Sequence, residues 1–464
     1  MYTKKAHIHF VGIGGVGMSG IAKILAHQGY SISGCDIDHE QKSIRELQSL
    51  GCTIYQGNNT IQCHSESVEI LVYSSAIVPT NPEILAAQQR GIPTIPRAVM
   101  LAELMRTKYS IAIAGAHGKT TTTSLIAHIL LEAHYDPTVI IGGHLHSIST
   151  NARLGAGDFL VAEADESDRS LTRLHPTLAV ITNIDAEHLD TYRDLDDIKD
   201  TFLQFINNIP FYGKAIMCYD DPHVRSLLPL KFTKAVTYGL SPESDISAHD
   251  LIVEAQHSSA TVFHKRHGVL GSITLNIPGK HNIQNALAAL TLSRELNIEF
   301  SVIAHAISTF KGVDRRFTFK GIYNGAEIFD DYGHHPTELR VTLEVARRRA
   351  QHNLIVVFQP HRFTRTYHLW NDFISVLSSP IIDTLIITDI YPANESPIEG
   401  INSMQLVQNL RTYAPHLNVF YIPYDDDQKA LQESVTCHVQ EKDLILLLGA
   451  GKVNKLAEKL IRQT

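Results

Sequence analysis

The residues best suited to chemistry form a short glycine-bracketed turn, Gly115-Ala116-His117-Gly118-Lys119-Thr120, between the apolar run Tyr109–Ala114 and a helical pattern from Thr121 to Glu132. Strand, turn and helix in that order make a shortened phosphate-binding loop. Its backbone N–H groups wrap nucleotide phosphates, Lys119 neutralises the outer charge, and the Thr120 hydroxyl is placed to hold Mg2+. This pattern predicts an ATP site running from Gly115 to Thr121. Two acidic runs follow downstream: Glu163-Ala-Asp-Glu-Ser-Asp168 closes one predicted strand, and Thr182-Asn-Ile-Asp-Ala-Glu-His188-Leu-Asp190 closes the next. Hard carboxylate oxygens suit Mg2+, and open α/β sheets bind ligands at strand C-termini. Spacing does not say which of these carboxylates ligate.

A second glycine cluster, Gly12-Ile-Gly14-Gly15-Val16-Gly17, also stands between a strand-like run and a helical one, and Asp36 closes the next apolar run. Alone it reads as a dinucleotide fingerprint for NAD; more safely, it supports a diphosphate with a ribose attached. In the last third of the chain, Asp314-Arg-Arg-Phe317, Asp330-Asp-Tyr-Gly-His-His-Pro336 and Phe358-Gln-Pro-His-Arg-Phe-Thr-Arg365 follow or close predicted strands. The planar fork of a strand-end arginine fits a carboxylate.

These motifs must be positioned by alternating strands and helices. Apolar runs at Ala6–Val11, Tyr30–Cys35, Ile70–Ser75, Tyr109–Ala114, Asp158–Glu163, Thr177–Asn183, Glu327–Asp331, Asn353–Gln359, Thr384–Asp389 and Asp443–Leu448 read as strands. Helical patterns stand between them, which implies mostly parallel sheets covered on both faces. The expected fold class is α/β in three successive blocks, with domains at 1–107, 108–312 and 313–464.

Composition narrows the function classes. The 464 residues carry 40 Lys plus Arg against 48 Asp plus Glu, a net charge of −8. A nucleic-acid binder relying on overall basicity is excluded by that balance. Five scattered cysteines, Cys35, Cys52, Cys63, Cys218 and Cys437, show no zinc spacing and fit a reducing compartment. No apolar run approaches the roughly 18 residues that span a bilayer. A cytoplasmic protein without membrane or nucleic-acid partners is expected, as a monomer or weak homodimer. A dehydrogenase would explain Gly12–Gly17 but leave Lys119 and the acidic runs without a task. A non-catalytic nucleotide-binding regulator would need only the phosphate loop.

Taken together and in order, these motifs, with Gly279-Lys-His-Asn282, resemble the Mur ligases from about residue 7 to Leu448-Gly-Ala-Gly-Lys452. The last two motifs resemble the branch that joins L-alanine to UDP-N-acetylmuramate. The resemblance implies a Rossmann-like N-terminal domain for the UDP part, a central P-loop ATPase domain and a Rossmann-like C-terminal domain for the amino acid. It redirects the first glycine loop, Gly14, Gly15, Val16 and Gly17 with Asp36, from NAD to UDP. Ser74, Ser75, Arg97, Asn151 and Arg153, the last two in an expected loop, then resemble further UDP-sugar contacts.

Carried over by position, Lys119, Glu163, His188 and Arg316 form the implied catalytic set. Thr120, Glu163 and His188 are the implied metal ligands for Mg2+, with Mn2+ as a substitute. His188 also lies toward the UDP-sugar, and a role as base on the amine stays open for it. His281, Asn282 and Asn285 resemble adenine contacts, Asp331 a ribose contact, and Arg316 an arginine that reaches the terminal phosphate. Tyr332, His335, Arg362 and Arg365 resemble the alanine pocket. Several relatives that act at later steps carry a carbamylated lysine where this chain has Leu203, and Ala116 replaces the usual threonine. A recycling relative that adds a whole tripeptide to the same UDP-sugar is the nearest alternative.

Overall fold

The computed structural model describes residues 5–57, 67–74, 76–145, 150–188, 191–393 and 395–462. They form two compact units: one holds the chain through Leu251 with Ser259–Leu275 and Asn282–Lys311, the other Ile252–Ser258, Asn276–His281 and the chain from Gly312 onward. The first two predicted blocks therefore share a unit.

In the first unit, a five-stranded sheet runs in the order Thr53–Gln56, Ser31–Asp36, His7–Val11, Ile70–Tyr73, Thr94–Pro96, every pair parallel. That is the 3-2-1-4-5 order of a dinucleotide-type sheet, in which the first strand is central and its C-terminal turn meets a helix N-terminus. The helix is Val16–His27, two residues longer at its start than the Met18–His27 pattern. A ten-stranded sheet follows. Around Tyr109–Ala114 lie Leu178–Ile181 on one side and Phe159–Glu163 on the other, both parallel to it, so three strand C-termini open onto one edge.

The stretch expected as the Asn151–Gly155 loop is instead an edge strand, Thr150–Arg153, antiparallel to Thr138–Leu145. Tertiary packing decides this. Asn151 Nδ2 donates to the Val16 carbonyl (2.6 Å) and the Ser19 hydroxyl (3.1 Å), while Lys23 Nζ donates to Asn151 Oδ1 at 2.8 Å. A Cβ on Gly20 would lie only 3.3 Å from that of Ala152. The edge strand thus packs on the helix that follows the first glycine turn, and its backbone pairing answers the cost of leaving amides unbonded.

The second unit is built on a six-stranded sheet: Thr318–Tyr323, Ala326–Asp331, Leu444–Leu448, Leu354–Phe358, Thr384–Ile387, Asn418–Tyr421. Only the first pair is antiparallel. Leu444–Leu448 is buried at every position, as a strand covered on both faces requires. Leu446→Ala is expected to lower the stability of this unit by about 3 kcal/mol through lost burial and a residual cavity, read as a lower urea midpoint by circular dichroism.

Candidate active site

At the end of Tyr109–Ala114 the chain turns through Gly115 and Gly118 into the helix Lys119–Glu132. Gly118 takes a left-handed φ of +80°, and a Cβ there would stand 2.6 Å from Asn285 Oδ1, so the turn tolerates no side chain. The His117 peptide anchors it. Its N–H donates to Asn183 Oδ1 (2.7 Å), and its carbonyl accepts from Thr182 Oγ1 (2.7 Å) and Asn183 Nδ2 (3.0 Å). The helix N-terminus carries no side-chain cap, and Thr120 and Thr121 sit in its first turn. Uncapped N–H groups at a helix start form a seat for an anion. Thr122 Oγ1 donates to Asn285 Oδ1 at 3.3 Å, so Asn285 meets the phosphate turn, and Asn282 lies 3.5 Å from Asn285.

Lys119 Nζ donates to the carbonyls of Gly115 and Ala116 and to Glu166 Oε1 at 2.8 Å. Burial alone would pull this ammonium down, but the charge and hydrogen bond of Glu166, with Glu187 and Asp165 behind it, outweigh that and hold it above the ordinary lysine value. His188 Nε2 lies 3.4 Å from Glu187 Oε2 and 3.7 Å from Glu166 Oε1. One ligand atom from each of Glu166, Glu187 and His188 falls within 4.8 Å of the others. Glu166 Oε2 is buried without a hydrogen-bond partner among the described residues. An orphaned carboxylate oxygen beside a second carboxylate is a donor set that fits a hard divalent cation. Glu163 is outside this group: its carboxylate accepts the Gly142 N–H at 2.8 Å.

The first glycine turn is held by Asp36, whose Oδ2 accepts the Gly14 N–H at 2.8 Å, with Ser43 Oγ donating to the Gly14 carbonyl at 2.8 Å. A Cβ on Gly14 would stand 2.8 Å from Asp36 Oδ2, and one on Gly12 3.3 Å from Ser74. Arg97 Nη1 lies 2.8 Å from where a Gly17 Cβ would be, and Arg97 donates to Asp165 Oδ2 at 2.9 Å. Burial pushes the Asp165 carboxyl up, but Arg97, Ser167 and Lys119 together bring it below the usual range. One ionic chain thus links the glycine turn to the phosphate turn: Arg97, Asp165, then Lys119 with Glu166. Gly15 and Val16 complete the turn at the helix start. Ser75 lies outside the described residues. Asn151 is occupied in joining the edge strand to the helix. Arg153 is bound to Asp136 and the Pro137 carbonyl opposite Val139, at the end of the sheet away from the strand C-termini, and does not join the other residues.

In the second unit, Arg315 and Arg316 differ in their partners. Arg315 reaches Asp330 (3.3 Å) and the Gly449 carbonyl (2.6 Å); both guanidinium groups lie over the Tyr332 ring, Arg315 at 4.8 Å and Arg316 at 5.6 Å, and Glu338 is 3.8 Å from Arg316. Asp331 spends its oxygens on the N–H groups of Phe317 (2.8 Å) and Gly333 (2.7 Å). His335 caps the helix Pro336–Arg349 in a reciprocal box with Glu338. Arg365 lies 3.3 Å from His361 Nδ1, and Arg362 lies 3.4 Å from Glu395. His361 stacks on Tyr391, and His334 lies 5.6 Å from His361, ring to ring. Burial lowers His334 and His361 to about 3, with Arg365 adding to both, and His281 to about 4, with Arg316 adding. Glu166, Glu187, His334 and His361 were not singled out from spacing, although each lies inside a motif that was.

Comparisons with known proteins agree with this architecture. Residues 7–109 match the profile of the Mur ligase family catalytic domain, 113–293 that of the Mur ligase middle domain, and 315–451 that of the Mur ligase glutamate ligase domain. The chain belongs to the Mur ligase family. It is similar to UDP-N-acetylmuramate–L-alanine ligases: that of Geotalea uraniireducens is 48% identical over 463 residues, covering 100% of this chain and 99% of the relative. That of Desulfatibacillum aliphaticivorans is 48% identical, covering 99% of each. Among solved structures, UDP-N-acetylmuramate-alanine ligase from Thermotoga maritima superposes with a TM-score of 0.83 at 25% identity, covering 98% of both chains. A murein peptide ligase from Psychrobacter arcticus shares the fold, with a TM-score of 0.74 at 22% identity and 98% coverage of both.

The buried histidines fix the sign of a pH effect. Their folded values lie below 6.5, so the stability they contribute is present above pH 6.5 and is lost as pH falls toward about 4 for His281 and 3 for His334 and His361. The urea midpoint of the second unit should fall between pH 7.5 and 5, and His361→Asn should flatten that slope.

Proposed function

We propose that the chain joins L-alanine to the carboxylate of UDP-N-acetylmuramate at the expense of ATP, giving UDP-N-acetylmuramoyl-L-alanine, ADP and phosphate, a step in peptidoglycan precursor synthesis. The observation that carries this reading is Lys119, held at an uncapped helix N-terminus against Glu166 and next to Glu187 and His188. Full-length similarity to ligases of that name supports the substrates. A carboxylate is a poor electrophile, so the muramoyl carboxylate oxygen first attacks the γ-phosphorus of ATP, and ADP leaves. The neutral amine of alanine then attacks the acyl phosphate carbon, a tetrahedral intermediate forms, and it collapses to the amide as phosphate leaves and the nitrogen's proton passes to solvent.

Within this scheme the residues of the chain act mainly through charge and position. The backbone from Gly115 to Thr121 seats the phosphates, and Lys119 exchanges Glu166 for the transferring phosphoryl group. Arg316 offsets charge on that group, and Asn282 and Asn285 contact the adenine. Bound Mg2+, or Mn2+ in its place, would supply charge neutralisation, with the Thr120 hydroxyl, Glu166, Glu187 and His188 as the residues to hold it. Gly14, Gly15, Val16 and Gly17 seat the UDP diphosphate beside Ser74 and Arg97. Tyr332, His335, Arg362 and Arg365 receive alanine. Residues 1–107, 108–312 and 313–464 are the proposed domains for UDP-sugar, ATP and amino acid. No helix among the described residues is long and apolar enough to cross a membrane, and we place the enzyme in the cytoplasm.

The test is phosphate release from ATP with UDP-N-acetylmuramate, comparing free L-alanine with the L-Ala-γ-D-Glu-diaminopimelate tripeptide. Release is expected only when the UDP-sugar and free alanine are both present; release with the tripeptide alone overturns the amino-acid assignment. Lys119→Ala should cut turnover by about 1,000-fold or more while UDP-sugar binding by calorimetry stays near that of the parent. Retained turnover in that variant would sink the role given to Lys119.

A further inference from the structure

Away from these residues, the face of the five-stranded sheet beneath the helix Pro82–Gln89 carries an unexpected set of side chains. Most of this layer is apolar: Val11, Leu71, Ile84 and Ala87 pack there. Parallel pairing aligns His9 with Ser33 and Val11 with Cys35, so His9 and Cys35 share this face. Glu83 enters from the first turn of the helix, whose start is set by Asn81 Oδ1 accepting the Glu83 N–H at 2.9 Å. His9, Cys35 and Glu83 are each 0% exposed.

Their atoms converge. Cys35 Sγ lies 3.4 and 3.2 Å from the two Glu83 carboxylate oxygens, and His9 Nε2 lies 3.4 Å from Oε2. One ligand atom from each residue falls within 4.8 Å of the others. Zinc bonds of about 2.0–2.3 Å in tetrahedral directions put neighbouring ligand atoms roughly 3.3–3.7 Å apart, which matches the separations found. His9 Nδ1 lies 2.8 Å from Ser33 Oγ, a contact that turns Nε2 toward the carboxylate, as the outer partner of a metal-binding histidine does. Charge gives the third argument. A thiolate and a carboxylate with a neutral imidazole balance one divalent cation, so the filled site is neutral and its burial costs little, unlike that of an isolated carboxylate.

We propose that His9, Cys35 and Glu83 form a structural site for one thiolate-binding divalent cation, Zn2+. On binding, the Cys35 thiol loses its proton to solvent and its sulfur joins the metal through Sγ, with His9 Nε2 and a Glu83 oxygen completing the protein ligands. Mg2+, which takes oxygen ligands, is selected against by the sulfur. The ion ties two strands to the helix directly behind the glycine turn, since the Cys35 carbonyl accepts the N–H groups of Gly12 (2.9 Å) and Ile13 (3.0 Å).

The experiment is titration of the metal-stripped full chain with Co2+, without nucleotide or Mg2+. The expected result is a near-ultraviolet thiolate-to-cobalt charge-transfer band that saturates at one equivalent and is displaced by Zn2+. It should persist in a variant whose only cysteine is Cys35 and vanish in Cys35→Ser. Ser33→Ala, which removes the ring's outer partner together with a bond from Ser33 Oγ to His7 Nε2 (2.8 Å), should weaken binding about 10–100-fold. Should Cys35→Ser not fold, alkylation mapped by mass spectrometry on the parent chain decides: Zn2+ should protect Cys35. No band with the parent chain, a band that survives Cys35→Ser, or alkylation of Cys35 unchanged by Zn2+ would each overturn the site.

Discussion

An ammonium group enclosed at the end of a parallel strand survives as a cation only if anions surround it, and that constraint organises the first unit. Lys119 is placed by the phosphate turn, and its charge is held by Glu166 at 2.8 Å with Glu187 and Asp165 nearby. Those carboxylates come from loops that leave neighbouring parallel strands. The parallel sheet is therefore what brings anions to the lysine, because it opens several strand C-termini on one edge. The turn itself is held independently of those carboxylates, its His117 peptide anchored on Thr182 and Asn183.

The ionic chain continues outward. Asp165 is shared between Lys119 and Arg97, and Arg97 lies over Gly17 in the other glycine turn. Two anion seats built on the same strand-turn-helix plan are thus joined by alternating charges. The edge strand Thr150–Arg153 reinforces this arrangement, since Asn151 and Lys23 bond across from strand to helix. Asn151 bonds the helix that follows the first glycine turn, and Arg153 bonds Asp136.

In the second unit the corresponding work is done by neutral, buried imidazoles. His334 and His361 are kept uncharged by burial, with Arg365 adding to both. Arg315 is taken up by Asp330 and a backbone carbonyl, while its neighbour Arg316 acts on Asp331 through its charge and lies 3.8 Å from Glu338. Adjacent residues of one type thereby take different partners.

Much of this was legible in order along the chain. Tyr109–Ala114 and the helix behind Lys119 follow from an apolar run, a glycine turn and a helical pattern, all local signals, and so do the strands ending at Asp36, Glu163 and Asp331. The phosphate seat was legible for the same reason: its chemistry lies in consecutive backbone amides. Local sequence could not show that Glu166 and Glu187 lie beside Lys119 and His188, or which partners Arg315 and Arg316 take, because residues one to three apart on a turn point in different directions. Nor could it show that Asn151–Arg153 pairs as an edge strand, or that His9, Cys35 and Glu83 meet beneath a helix, since residues far apart in the chain are brought together only by parallel pairing and helix packing. The amino-acid order by itself determined the strand, turn and helix succession around the two glycine turns; the tertiary structure alone decided which further segments pair as strands and which side chains converge, because strand register and packing set side-chain direction.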